Sequence, residues 1–271
     1  MIKIGFSVAT PEVNTPLLPA QQGELGPNLD ILAELGYDGV EVSIRQPAEI
    51  DPENLKKEIS SRNLEVASIH TAAIGFQDKI WLCHENKDIR DEGMKRLKGA
   101  IDLAAYFNVD VIIGSFRGLL SSGSERSQSL DWMYGAFRDG SQYAAEKKAK
   151  ILFEPQNRAG INFGFTAQDG VAFCKEIDSP GIGIMLDTFH MNIEDTSFSA
   201  SIFDARDYLH YLQISDSNRK YPGGGHVPFR DIISSLQAIN FSGYLSLQIE
   251  RIPDFKTSAK LGINHLRSLL G

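Results

Sequence analysis

Between residues 151 and 250, four apolar runs carry a polar residue at or near their ends: ILFEP (151–155), GIMLD (183–187), YLQIS (211–215) and LSLQIE (245–250). The polar residues are Glu154, Asp187, Gln213 and Glu250, separated by 33, 26 and 37 positions. Each gap is about the length of one strand plus one crossover helix, so the four residues would crown neighbouring parallel strands. Three carboxylates and an amide oxygen converging on one point repel one another unless a divalent cation lies between them. A single strand-end acid commonly does no more than cap the next helix. Four in succession favour a metal site.

Strand-like runs alternate with amphipathic helical stretches along the whole chain, at roughly 2–7, 39–43, 64–70, 109–115, 149–154, 181–187, 210–215 and 244–250. Eight alternations predict a closed (β/α)8 TIM barrel spanning residues 1–271 as a single domain. An open doubly wound sheet holding a dinucleotide would have a Gly-rich first turn, and FSVATPEVN (6–14) is not Gly-rich. Helix signals agree: Leu29, Leu32 and Ala33 share a face ahead of a C-terminal Gly36, and Asp51 stands as N-cap before Pro52. Runs such as VIIGS and GIGIMLD are apolar nearly throughout, as parallel strands covered on both sides must be. The overlong connection between His70 and Val109 is expected to be a loop over the barrel mouth followed by a helix from near Asp88, and a last helix near 254–270 should close the ring.

The chain has 271 residues, 42% hydrophobic and 23% charged, enough to bury a full core. Its formal charge of −8 argues against a large electropositive face for nucleic acid. No apolar run approaches the length of a membrane span. MIKIGFS (1–7) reads as a strand rather than a signal peptide, and Cys83 and Cys174 are too isolated for a disulfide framework or a cysteine-based zinc motif. A cytoplasmic enzyme is the expectation.

The strand ends, in order, are Ser7, Glu41, His70, Ser115, Glu154, Asp187, Gln213 and Glu250. In a barrel these positions surround the carboxyl-end mouth, where catalysis on this fold takes place. Ser7 and Glu41 could equally satisfy backbone groups at helix starts, and His70 could be a hydrogen-bonded core histidine.

FEPQNR (153–158), MLDTFHMNIED (185–195), QISDSNRKYPGGGH (213–226) and QIE (248–250) together resemble the sugar isomerase and epimerase branch of the xylose isomerase-like TIM barrels, particularly the D-tagatose 3-epimerase group. The resemblance implies that Glu154, Asp187, Gln213 and Glu250 hold one divalent metal. It also implies that Glu154 and Glu250 act as acid and base, while His190 and Arg219 bind substrate oxygens. Two departures stand out. Gln213 occupies a position usually held by histidine, as in the hydroxypyruvate isomerase branch, and Gly160 stands where the epimerase group carries a second glutamate.

An all-oxygen donor set favours Mn²⁺ or Mg²⁺ over zinc. A divalent ion chelated by the carbonyl and hydroxyl of a ketose would stabilise the enediolate left by removal of the neighbouring proton. Two carboxylates on opposite faces would then give epimerisation, and one carboxylate shuttling on a single face would give aldose–ketose isomerisation. His190, His70, Arg219, Arg158 and His226 are candidate substrate contacts, with ion pairing across the acidic mouth the alternative for the arginines. Arg117 and Gly114 follow the fourth strand, not the seventh or eighth where barrel phosphate sites lie, so a non-phosphorylated sugar or small hydroxy-carbonyl compound is the expected partner. Cys83, His84 and Glu85 fit a surface or lid role better than metal binding. A hydroxypyruvate-type isomerase or a polyol dehydratase is the alternative, a histidine-rich repair nuclease is a weaker one, and a homodimer is expected from the resemblance alone.

Overall fold

The computed structural model describes residues 1–271. Eight parallel strands close in sequence order into a barrel: β1 (Ile2–Ala9), β2 (Gly39–Ser43), β3 (Glu65–His70), β4 (Val111–Ile113), β5 (Ile151–Phe153), β6 (Ile182–Asp187), β7 (Leu209–Ile214) and β8 (Gly243–Leu247). The helices are α1 (Leu25–Glu34), α2 (Pro52–Ser60), α3 (Ala72–Asp78), α4 (Lys87–Phe107), α5 (Arg126–Glu146), α6 (Ala167–Ile177), α7 (Thr188–Glu194), α8 (Phe198–Ala205), α9 (Phe229–Ala238) and α10 (Phe255–Leu270). This is the single-domain TIM barrel that the strand count predicts. No helix is long and apolar enough to cross a membrane.

Local chemistry sets the element ends. Asp51 caps α2 by accepting from the Glu53 and Asn54 N–H groups, with Pro52 at the first helical position. Gly36 follows α1 with φ +81°, a left-handed conformation that glycine adopts without steric cost. Asn86 caps α4, whose first residue, Lys87, is one before the expected start.

Strand boundaries depart from expectation in three places. β4 and β5 are three residues each, because the ladder breaks where Gly114 and Glu154 turn into the mouth. β8 ends at Leu247, so Glu250 lies beyond the ladder. The 70–109 connection is not a plain loop, since α3 occupies its first part.

Outward-facing strand residues such as Ile4, Phe6, Val42, Ile113 and Ile184 pack under the helices. Each such fully buried side chain stabilises the fold by roughly 1.5–3 kcal/mol. The bore is layered. Ala67, Ile112, Leu152, Met185, Tyr211 and Tyr244 plug its amino end. Above them lie buried Ser7, Glu41, Ser68, Gln213 and Ser246, in register across adjacent strands. The candidate site rests on this polar layer.

Candidate active site

Asp187 ends β6 and also caps α7, its Oδ1 accepting from the Phe189 N–H at 2.8 Å. Its register partner on β7 is Gln213. Glu154 directly follows β5, where its carboxylate lies against Gly114; a Cβ on that glycine would stand 1.9 Å from Glu154 Oε2. Glu154, Asp187 and Gln213 are each at most 1% exposed.

His190, on the first turn of α7, completes the cluster. One ligand atom each from Glu154, Asp187 and His190 lies within 4.8 Å of the others, a grouping able to hold a metal ion. Two buried oxygens at the site, Glu154 Oε2 and Gln213 Oε1, have no hydrogen-bond partner. Leaving such groups unmatched costs about 1–3 kcal/mol each, more for a charged one, and oxygens of this kind are the donors that hard divalent ions take. The residues therefore fit a hard divalent ion.

The His190 ring has a defined tautomer. Its Nδ1 accepts from the Asn157 backbone N–H at 3.3 Å and from Asn157 Nδ2 at 2.8 Å. The neutral ring must then carry its proton on Nε2, which lies 3.6 Å from Glu154 Oε1 and 3.8 Å from Asp187 Oδ2. Burial lowers its pKa to about 4, keeping the ring neutral. As oriented, His190 is a hydrogen-bond donor toward the site.

Burial raises the Glu154 carboxyl to about 8, helped by the neighbouring Asp187 charge. Arg219 answers the remaining charge: its guanidinium donates to Asp187 Oδ2 and Gln248 Oε1, and lies 4.9 Å over the Phe189 ring. Behind the site, Gln213 Nε2 donates to both Glu41 oxygens, and Ser7 Oγ donates to one of them at 2.8 Å. Glu41 is fully buried and raised to about 7, chiefly by desolvation.

A cavity of about 240 Å³ opens over these groups, lined by His70, Ser115, Glu154, Asn157, Phe189, His190, Arg219, Gln248 and Glu250 among others. His70 stands at its wall with Nδ1 3.2 Å from Ser43 Oγ and is held near pKa 4 by burial.

Three expected contacts are not brought into the cluster. Glu250 is exposed on the cavity rim, because β8 has ended and the chain is leaving the barrel; Gln248 takes the inward position instead. Arg158 points outward and forms a two-pronged ion pair with Glu194. His226 is exposed, its Nδ1 3.0 Å from Ser217 Oγ, on a loop packed around Asp216. The glycines of that loop serve packing rather than flexibility: a Cβ on Gly225 would lie 2.3 Å from Asp216 Oδ1. Arg117, weighed above for phosphate, is fully buried and donates to the carbonyls of Gly114, Glu154 and Phe163. Cys83 is buried with its thiol donating to Ser129 O, so Cys83, His84 and Glu85 form no metal site.

Gln248 and Asn157 are working residues that the strand-end pattern does not mark, whereas Glu41 stands in that pattern but lies beneath the mouth. The signal for Gln248 was present in strand periodicity, since 244, 246 and 248 share a face. Nothing in the sequence marks Asn157 as the partner of His190.

Comparison with known proteins agrees with this geometry. Residues 29–269 match the family described as Xylose isomerase-like TIM barrel. The chain is 26% identical to a D-psicose 3-epimerase of Agrobacterium fabrum, over 88% of this chain and 82% of that protein. It is 27% identical to a 3-dehydro-D-guloside 4-epimerase of Escherichia coli, over 79% of this chain and 82% of the other. A solved L-ribulose 3-epimerase superposes with TM-score 0.82 at 25% identity, covering 100% of this chain and 94% of that one. The protein belongs to the xylose isomerase-like TIM barrel family.

Proposed function

We propose that the protein is a divalent-metal-dependent sugar epimerase that moves a proton on a carbon next to a ketone. The observation that carries this reading is the buried grouping of Glu154, Asp187 and His190 beside a cavity that Glu154 and His190 line, with unpartnered oxygens on Glu154 and on Gln213. The relatives support it, since their names describe 3- and 4-epimerases of keto sugars.

Glu154, Asp187 and Gln213 would hold Mn²⁺ or Mg²⁺, with Gln248 the next oxygen available beside Arg219. When bound, the ion would polarise the substrate carbonyl and acidify the neighbouring C–H. Glu154 is the buried base that takes this proton. His190 donates from Nε2 to a substrate oxygen, and Asn157 fixes the ring for that task. Arg219 is positioned to exchange its bond to Gln248 for one to a substrate hydroxyl. Glu250 stands on the rim of the same cavity and is the carboxylate able to return a proton from the other face.

The test is proton NMR of the Mn²⁺-loaded protein with a panel of keto sugars in heavy water. Deuterium should appear at a single carbon beside the carbonyl, together with the epimer. Loss of a hydroxyl from the substrate would instead identify a dehydratase, and a migrating carbonyl an aldose–ketose isomerase.

A further inference from the structure

β5 ends at Phe153, but the side chains that follow keep alternating. Phe153 packs under the helices, and Pro155 turns the same way: a Cβ on Gly170 of α6 would stand 2.9 Å from its Cγ. Glu154 and Gln156 both face the mouth and line the cavity of about 240 Å³. Glu154 has a task in the proton transfer, and Gln156 has none so far.

The Gln156 amide is held in one orientation. Ser115 Oγ donates to its Oε1 at 3.2 Å. Its Nε2 lies on the side of Glu154: a Cβ on Gly114 would stand 1.9 Å from Glu154 Oε2 and 2.7 Å from Gln156 Nε2, so both atoms lie over one glycine. A flipped amide would turn its oxygen toward the carboxylate, so Glu154 and Ser115 together select the orientation that presents N–H.

The support beneath is fixed. Ser115 opens the turn after β4, and the buried Arg117 guanidinium donates to the Gly114 carbonyl at 3.2 Å and to the Glu154 carbonyl at 2.7 Å. That turn is thereby tied to the segment carrying Gln156, whose backbone N–H donates to the Gly164 carbonyl at 3.3 Å.

Nε2 has work left to do. Gln156 is only 8% exposed, and the Ser115 bond is the one hydrogen bond of its side chain. Burial raises the Glu154 carboxyl and the neighbouring amide offsets part of that rise, yet no hydrogen bond of normal geometry reaches Glu154 Oε2. The cavity wall from the segments after β1 and β3 is apolar, with Leu18, Pro19, Ala72 and Phe76, and β1 stands across the closed barrel from β5. A fixed donor facing an apolar wall orients a ligand by one polar contact. A keto sugar offers a hydroxyl acceptor on each carbon except that of the carbonyl. An analogue lacking the matched hydroxyl would leave a buried N–H unpaired, which such sites reject far more strongly than they reject a missing methylene.

We propose that Gln156, oriented by Ser115, is a specificity-determining residue that donates from Nε2 to one hydroxyl of the keto sugar, on a carbon other than the one Glu154 deprotonates. This rests on the epimerase reading for the identity of the ligand, while the donor rests on its own geometry.

The experiment compares D-psicose with its 1-, 4-, 5- and 6-deoxy forms on the Mn²⁺-loaded protein, reading kcat/KM by NMR and binding by calorimetry. One deoxy form should fall at least tenfold below D-psicose in the wild type. In Gln156→Leu that ratio should shrink to within threefold, while the ratios for the other three stay as in the wild type. A general loosening of the barrel would not single out one carbon. Ser115→Ala, which frees the amide, should shrink the same ratio in part, and it decides the matter if Gln156→Leu does not fold. Ratios equal in variant and wild type would overturn the assignment of Gln156 and leave the epimerase reading intact. Binding ratios that depend on Gln156, without turnover of D-psicose or deuterium wash-in on any keto sugar, would sustain the assignment and overturn the epimerase reading. Neither turnover nor binding of any of these sugars would overturn both.

Discussion

Gln213 Nε2 donates to both carboxylate oxygens of Glu41, at 2.9 and 3.0 Å, and this leaves Gln213 Oε1 as the amide atom without a partner. A flipped amide would set its oxygen against the Glu41 carboxylate, so Glu41 selects the orientation that offers oxygen as a ligand. An amide here does what a histidine anchored through its second nitrogen does elsewhere, with the anchor supplied from β2.

Glu41→Gln should therefore weaken Mn²⁺ binding by about 10–100-fold, the usual cost of losing a group that orients a metal ligand. Isothermal titration calorimetry measures it, with circular dichroism showing that the barrel is retained. An unchanged affinity in a folded variant would mean that Gln213 does not bind the ion.

Replacing Gln213 with histidine should shift preference toward Zn²⁺ or Co²⁺, because imidazole suits those ions better than an amide oxygen does. Competition between Mn²⁺ and Zn²⁺ reads the shift. Equal selectivity in the two proteins would again place Gln213 outside the donor set.

The raised carboxyls predict an unusual pH dependence for the metal-free protein. Glu154 at about 8 and Glu41 at about 7 both lie above their ordinary 4.5, so the folded chain holds protons that the unfolded chain has lost. Their contribution is fully present below about pH 4.5 and disappears as pH rises through the folded values. His70 and His190, lowered to about 4, act in the opposite sense, but only below their ordinary 6.5. Of these four groups only the carboxyls titrate between pH 6.5 and 8. The Tm in EDTA should fall across that interval, and saturating Mn²⁺, which binds the ionised form, should reduce the fall. A Tm in EDTA that rises with pH would contradict these assignments.

Arg117 ties the ends of β4 and β5 to the 163 segment through three carbonyls while buried above the Phe153 ring. Arg117→Met would fill much of the volume and keep the backbone N–H bond to the Gly114 carbonyl, but leave the Glu154 and Phe163 carbonyls without the guanidinium, each at a cost of about 1–3 kcal/mol. Urea unfolding should show a loss of roughly 2 kcal/mol or more. A loss under 1 kcal/mol would show that water replaces the guanidinium.

The barrel was readable in the sequence because each strand is a short apolar run bounded by helix signals, a pattern that survives without knowledge of packing. Glu154, Asp187 and Gln213 were readable for the same reason, each lying within a residue or so of a strand's end. Glu250 was harder. Residues 246, 248 and 250 share a face by periodicity, and only the point where the β7–β8 ladder stops decides that Gln248 turns inward while Glu250 reaches the rim. Arg158 and His226 lie in loops, where nearness to a motif does not set the direction of a side chain. Glu41 reads as a strand-end acid, yet Val42 and Ser43 follow it within β2, which puts its carboxylate beneath the mouth. Its service to Gln213 depends on a contact across 172 positions that no local pattern records.

The most direct test of the proton-transfer account is deuterium wash-in catalysed by Glu154→Gln, followed by NMR on a keto sugar that the wild type converts. The amide retains an oxygen but cannot accept the proton, so exchange beside the carbonyl and epimer formation should both fall at least a thousandfold, while measurable Mn²⁺ binding persists. Glu250→Gln in parallel should block epimer formation yet leave wash-in from the face that Glu154 serves. Near wild-type wash-in by the Mn²⁺-loaded Glu154→Gln protein would contradict the assignment of Glu154 as the base.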